Sequence, residues 1–423
     1  MKNIIKILMI LFLCIVAINC SKDDEGSNVP QQNEAPKAFD LIAVTNGASD
    51  VDVLPEFLWQ AAIDPELDVV TYDLYLDTKA NPTTVYKQNI SATNFKVEER
   101  LHLVTNYYWK VIAKDSNGNT TESNIHNFNT RNLNFPANPV VAAAPFSERF
   151  GHSAINFHSS FWVIGGNSGG GNFKNDVIHT KDGINWTLST ASASFSERYG
   201  HASAVFDDKI WVIGGSEPGV YTDDIWFSAD GITWSEAIAS APFSRRIFHT
   251  GTVFNNKLWV IGGFENGGNY LNDIWSSTDG ITWVQESSSA PFTARYGHTT
   301  TVFDNKLWLM GGNDIGGNNR SDVWYSTDGI TWTEATTSAQ FDERVLHTTV
   351  VFDDKLWVIA GFDGANLRND VWYSNDGITW LEATACAPFS SRVGHSTVVF
   401  DNKIWLIGGE DDFDDKNDVW MMD

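Results

Sequence analysis

Cysteine is scarce in this chain, with 3 among 423 residues. Cys14 lies inside an apolar N-terminal run and Cys20 closes it, so only Cys386 remains for the fold. No intrachain disulfide is then expected, and a lone buried thiol is the default for Cys386. Positive charge is also scarce: 28 Lys and Arg against 53 Asp and Glu give a net charge of −25. No basic stripe exists to neutralise phosphates, which excludes nucleic acid as a partner class. The balance fits a self-repelling, soluble exterior. Long apolar runs are missing apart from Ile7–Ile18, which is shorter than the ~20 residues a spanning helix needs. Lys2 and Lys6 precede that run, so residues 1–20 read as a targeting segment. Residues 21–36 are polar and lack hydrophobic periodicity, as in a flexible tether.

What the chain has is repetition. Phe-x-x-Arg-x-x-His recurs six times, 48 or 49 residues apart, at Arg149, Arg198, Arg246, Arg295, Arg344 and Arg392. Short strands at such a period mean the blades of a propeller. The unit 295–342 shows how one is built. His298–Phe303 alternates, Asp304-Asn305 turns, and Lys306–Gly312 returns to a double glycine. Ser321–Thr327 is a third strand, and Asp328-Gly329 turns it into Ile330–Glu334. Asp-Asn and Asp-Gly between alternating runs are hairpin signals because the turn requires positive φ.

Of the 18 tryptophans, sixteen fall in register with the repeat, in its second, third and fourth strands. They are expected to pack between blades, not to line a ligand cage. The sixth unit ends after its third strand, and residues 137–144 are expected to supply the missing fourth, leaving no open edge.

Residues 37–131 form a separate unit of short alternating runs, such as Val70–Leu76 and Tyr107–Ala113, split by turns such as Asp115–Gly118. The stretch from Leu101 to Gly118 resembles the E–F region of fibronectin type III domains, which implies a corner hydrogen bond for Tyr107 and a core role for Trp59. Ala17-Ile18-Asn19-Cys20 resembles a bacterial lipobox, with Asn19 in place of the usual small residue. The resemblance implies lipidation at Cys20. Ser21–Glu25 is similar to the acidic export signal of Bacteroidetes-type surface lipoproteins. From residue 132 onward the double glycine, the aromatic third strand and the fourth-strand tryptophan resemble the kelch repeat. Ala360 replaces the first glycine of the fifth pair, and Ile178 replaces the third-strand tryptophan of the first unit. Ser326–Trp332 also resembles the Asp-box of sialidases, one residue short.

The fold expected is therefore all-β: a six-bladed kelch-type β-propeller over 132–423 preceded by an immunoglobulin-like/fibronectin type III β-sandwich over 37–131.

Positions that repeat hold a symmetric array together, so the six histidines are expected to be structural. The arginines stand beside residues that vary, and a guanidinium ring can hold carboxylate or sulfate bidentately. Arg149, Arg198, Arg246, Arg295, Arg344 and Arg392, with Phe150, Tyr199, Phe248 and Tyr296, are the expected ligand contacts. The other reading is that local aspartates, such as Asp176 and Asp224, consume each arginine. Glu410–Asp415 is rich in oxygen ligands but lacks a calcium-loop signature, and no metal or cofactor is expected.

Galactose oxidase chemistry needs a cysteine-linked copper site, and Cys386 lies in a repeat linker. A sialidase needs an arginine triad outside the repeat, which Arg245, Arg320 and Arg368 do not supply by pattern. The resemblance leaves a kelch-type N-acetylneuraminate epimerase, a sugar-acid mutarotase, as the enzymatic alternative, with Glu148, Glu197 or Glu343 as acid or base. The primary expectation is a non-catalytic monomer, lipid-anchored in the outer membrane and exposed at the cell surface. It would bind a glycan or protein ligand on the channel face.

Overall fold

The computed structural model describes residues 32–423. The targeting segment 1–20, the lipidation position Cys20 and the tether as far as residue 31 lie outside the described residues. Every regular element of the described residues is a strand.

Turn chemistry builds the repeat. The Asp304-Asn305 hairpin has φ of +48° and +55°, and the matching pairs His158-Ser159, Asp207-Asp208, Asn255-Asn256, Asp353-Asp354 and Asp401-Asn402 are also positive at both residues. These are the mirror-image turns whose twist matches paired strands. They join strands such as Thr299–Phe303 and Lys306–Met310 in register, Phe303 opposite Lys306. At the double glycine the register shifts, between Ile213 and Gly215 for example, and the third strand follows. The next turn is tied by side chains: Gly329 N–H donates to Ser326 Oγ (2.8 Å), and the amides of Ile330 and Thr331 donate to Asp328 Oδ1. Those amides are thus taken, and the last strand starts at Thr333 instead of Ile330. The third strand likewise opens at Val323, later than its alternation implied.

Among the described residues the array forms six such sheets in chain order. Their first strands, from Ser153–Phe157 to Ser396–Phe400, neighbour one another in sequence, and the last neighbours the first. A central channel results. The second-strand tryptophans fill the space between sheets. Trp259, 1% exposed, donates its indole N–H to Phe254 O (2.9 Å). Its ring lies where a Cβ on Gly329 of the next unit would come within 2.4 Å. Glycine is therefore required at that turn for contact as well as for its φ of +82°. Each such ring removes about 150–250 Å² from water.

The third-strand tryptophans pack against the cores between sheets, as expected, and add a hydrogen bond. Trp226, Trp275, Trp324, Trp372 and Trp420 each donate an indole N–H to the aspartate two residues earlier, at 2.6–2.8 Å.

The sixth sheet has three regular strands, ending in Asp415–Met422. Val141 and Val419 exchange backbone hydrogen bonds (3.2 and 2.8 Å), and Ala144 N–H donates to Asn417 O. Asn417 Nδ2 donates to Ala144 O and Phe146 O at 3.0 and 2.9 Å. Asn175, Asn272 and Asn369 hold the corresponding linkers in the same way.

The chain packs as two compact units. One runs through Ala43 and includes Phe57–Phe95 and Tyr108–His126; the other comprises Val44–Glu56, Lys96–Tyr107 and Asn127–Asp423. In the first, Thr71–Asp77 pairs with Val85–Ile90 and with residues 108–114, around the buried Trp59 and Trp109. In the second, Tyr107 Oη accepts the amide of His102 (3.2 Å), and Val53, Leu103 and Leu133 share a core with Phe352 and Trp357.

Deleting residues 132–145 is expected to lower the thermal midpoint of the array and broaden the transition. Asn417→Ala is expected to cost about 1–3 kcal/mol, since it strips two buried carbonyls of their donor. Urea unfolding followed by tryptophan fluorescence checks both.

Candidate functional site

The repeat arginines are buried in the scaffold. Five are 0% exposed and Arg392 is 1%. Arg198 shows the pattern. Its Nε donates to Ser196 O (3.1 Å), its Nη1 to Gly214 O and Asp224 Oδ1, and its Nη2 to Ser196 Oγ and Asp224 Oδ2. All five N–H groups are used. Arg149, Arg246, Arg295 and Arg392 repeat this pattern with Asp176, Asp273, Asp322 and Asp418. Arg344 pairs with Asp370, with Asp342 in place of the linker serine. Burial alone would raise Asp224, but the bonds from Arg198, Thr222 and Trp226 hold it below the usual carboxylate range. The expectation that these six arginines contact a ligand is thus corrected, because their charge and their donors are already spent inside each blade. Arg245, Arg320 and Arg368 are also paired, with Asp223, Asp314 and the Asp342/Asp363 pair.

Two residues after each arginine the chain turns left-handed, and there the channel mouth closes. Gly200 N–H donates to Gly151 O, Phe248 to Gly200, Gly297 to Phe248, Leu346 to Gly297, Gly394 to Leu346 and Gly151 to Gly394, at 2.8–3.2 Å. This cycle of six backbone bonds has φ between +50° and +63° throughout. Below it lies a cavity of about 130 Å³ lined by His152, His201, His249, His298, His347 and His395. Burial, then the neighbouring guanidinium groups, push His201 and His298 down to about 3, and His395 also falls to about 3. The imidazoles are therefore neutral at pH 7. His201, His347 and His395 accept or donate bonds through Nε2 to Ser153, Thr299 and Thr348 of the preceding unit. Further down, Ser153, Ser203, Thr300, Thr349 and Thr397 line the channel.

The varying aromatics do come together. Tyr199 contacts Phe150 (5.7 Å between centroids), Phe173 (4.8 Å) and Phe248 (5.8 Å). Phe248 contacts Tyr296 (6.1 Å), which meets Phe264 and Tyr270 at 5.6 and 5.5 Å. Tyr221 joins through Phe264 at 6.3 Å. All are half-buried. The result is one continuous arc across the first four units. Burial, with Tyr270 and Tyr221 nearby, raises the Tyr296 phenol, and burial with Tyr199 raises Tyr221. Tyr270 Oη donates to Asn313 Oδ1 (3.3 Å). Phe173, Tyr221, Phe264 and Tyr270, read from sequence as loop residues, lie at the ends of the strands that flank the loop after Gly-Gly, and their role as partners of the post-arginine residues needed the three-dimensional neighbourhood of adjacent blades.

Glu148, Glu197 and Glu343 are exposed. Each precedes an arginine whose side chain turns inward to its aspartate, so none stands beside a free guanidinium that could hold a substrate carboxylate. Glu148 does lie near Asp415. Partial burial, Glu410, Glu148 and Asp414 together push Asp415 up to about 6. In the acidic loop Asp411 accepts the amides of Phe413 and Asp414 and pairs with Lys416. Cys386 is exposed, correcting the expectation of a buried thiol.

Residues 112–276 and again 229–409 match the KLHDC2/KLHL20/DRC7 Kelch-repeats domain. The chain belongs to the kelch-repeat family. A solved structure titled "Structure of YjhT" matches with a TM-score of 0.55 and 15% identity, over 66% of this chain and 96% of that one. At that identity the likeness speaks to the fold alone. No curated protein sequence matches.

Arg295→Ala is expected to destabilise the protein by about 3–5 kcal/mol, because Asp322 is left buried without its countercharge. Equilibrium unfolding in urea measures it. The channel histidines set an acid response. Their folded pKa values lie below the unfolded value of 6.5, so their stabilisation is complete above pH 6.5 and is lost as pH falls toward about 3. Each contributes a slope of about 1.4 kcal/mol per pH unit below the unfolded value. His298→Gln should flatten the pH dependence by about that much.

Proposed function

We propose that this chain is a non-catalytic recognition module: a six-bladed kelch propeller over 132–423, closed by residues 137–144 and carried on a fibronectin type III-like sandwich over 37–131. In this reading Cys20 is lipidated and the protein is displayed as a monomer at the outer-membrane surface. The lipobox-like sequence and the acidic segment after it support that placement.

The observation that carries the reading is the aromatic arc. Its rings offer faces to the C–H face of a sugar, and its tyrosine hydroxyls offer donors and acceptors beside them. With every repeat arginine neutralised by an aspartate, the repeat supplies the face with no cationic anchor for an acidic group. Net charge of −25 disfavours anionic ligands further. A neutral glycan is therefore the ligand class the site supports best.

A second reading, a sugar mutarotase, draws on the Glu148–Asp415 neighbourhood, where burial and the carboxylates of Glu410, Glu148 and Asp414 push Asp415 up to about 6, in the direction an acid/base residue needs. It lacks the carboxylate-binding arginine that a sugar-acid substrate would need.

The full mature chain should bind members of a neutral glycan panel saturably without converting them. Tyr296→Ala and Tyr199→Ala should each weaken binding about tenfold or more at an unchanged thermal midpoint. Retention only of sialylated or uronic glycans, insensitive to both variants, would overturn the reading. Anomer interconversion by NMR that is lost in Glu148→Gln would favour the mutarotase, and retention of a protein alone would replace glycan by protein as the ligand.

A further inference from the structure

Outside the repeat array, three carboxylates converge in the first unit. One oxygen each from Asp64, Asp68 and Asp115 lies within 4.8 Å of the others. Asp64 and Asp115 are 3% and 6% exposed. Asp64 Oδ1 accepts the amides of Glu66 and Asp68, both at 3.0 Å, which curls the segment between them and leaves Leu67 left-handed at φ +66°. Asp115 Oδ1 accepts the amides of Asn117 (2.9 Å) and Asn119 (2.8 Å), and its Oδ2 accepts from Asn119 Nδ2 and Asn33 Nδ2. Asp68 Oδ2 accepts from Asn117 Nδ2 (2.8 Å).

The second oxygen of Asp64 is the anomaly. Oδ2 is buried and has no hydrogen-bond partner. Among the described residues no lysine or arginine forms a salt bridge with any of the three aspartates. A buried carboxylate oxygen with no donor, beside two further carboxylates, carries a desolvation cost and a like-charge cost together. Asparagine and backbone donors serve Asp115 and Asp68, but none reaches Asp64 Oδ2. A bound cation relieves both costs.

We propose that Asp64, Asp68 and Asp115 form a calcium-binding site. The ligands are all oxygen, with no imidazole or thiolate, which selects a hard cation. Oxygens on opposite sides of Ca²⁺ stand up to about 5 Å apart at its usual bond lengths, whereas Mg²⁺ demands a tighter octahedron. Two backbone amides fix Asp64 through Oδ1, which holds its unpartnered Oδ2 in place. The site would also fasten the N-terminal approach to this unit. Asn33 bonds Asp115, Glu34 N–H donates to Glu66 Oε2, and Thr121 Oγ1 donates to Pro36 O.

The test titrates CaCl₂ into the EDTA-treated full mature chain by calorimetry, with thermal melting in EDTA and in millimolar calcium. Saturable binding at one site and a higher midpoint in calcium are expected. Asp64→Asn keeps Oδ1 for the two amides and removes charge. It should abolish the calcium response while melting in EDTA no lower than the parent. Asp68→Asn, at the more exposed position, should weaken calcium at least tenfold and serves if the first variant fails to fold. No heat and no midpoint shift with calcium would overturn the proposal. So would calcium binding that survives both substitutions, which would place the ion elsewhere, for instance in the acidic loop 410–415.

Discussion

The array depends on one residue doing two jobs. The side chain of each repeat arginine is locked inside its own sheet, on the aspartate and the carbonyl of the first glycine (Ala360 for Arg344), while its backbone is held by the sheet before. Arg198 N–H donates to Lys174 O, and its carbonyl accepts from Gly166 N–H. Arg149 does the same with Lys416 and Gly409 of the last unit, across the closure. Consecutive sheets are therefore stapled through a single Cα. A desolvated ion pair contributes stability only when its geometry and remaining donors are satisfied. Here the linker serine, the glycine carbonyl and the third-strand indole satisfy them. In the first unit Ile178 stands where the others have tryptophan, and Asp176 loses that third donor.

A staple of this kind cannot also serve a ligand. Removing the guanidinium from its aspartate to meet an anion would leave a buried carboxylate exposed to the full desolvation cost. Chemistry is thereby displaced to positions the staple leaves free. Those are the residue after the arginine and the left-handed residue after that. Glycine occupies the left-handed position in four units, but Phe248 and Leu346 occupy it at φ +50° and +55°. A bulky side chain there costs about 1–3 kcal/mol. At Phe248 the strain comes with a gain in surface: its ring bridges Tyr199 and Tyr296 and makes the aromatic arc continuous.

Much of this was legible in the sequence because the period imposes it. The hairpin turns, the double glycines and the inward tryptophans all recur, and each recurrence tests the others. The choice between arginine as ligand contact and arginine as staple was open, because the partner aspartate lies 26 or 27 residues away and pairing follows register, not local pattern. The aromatic arc was half legible. The post-arginine residues stood out as variable, but their partners come from strand ends of adjacent units. The aspartate group was not legible at all, since Asp64 and Asp115 belong to separate turns and neither turn carries a calcium-loop spacing.

The asymmetry of the face sets a direction for any ligand that lies on it. In the first four units the channel rim carries Phe150, Tyr199, Phe248 and Tyr296; in the last two it carries Val345, Leu346 and Val393. The backbone ring beneath is nearly six-fold and uncharged, so it gives a ligand lying across the mouth no direction of its own. Stacking surface and phenolic hydroxyls then exist on one side only, with aliphatic contacts on the other. A ligand with one polar, ring-bearing part and one less demanding part satisfies both halves at once. The scaffold gains its stability from repetition, and the proposed binding face would draw its specificity from the places where the repetition fails.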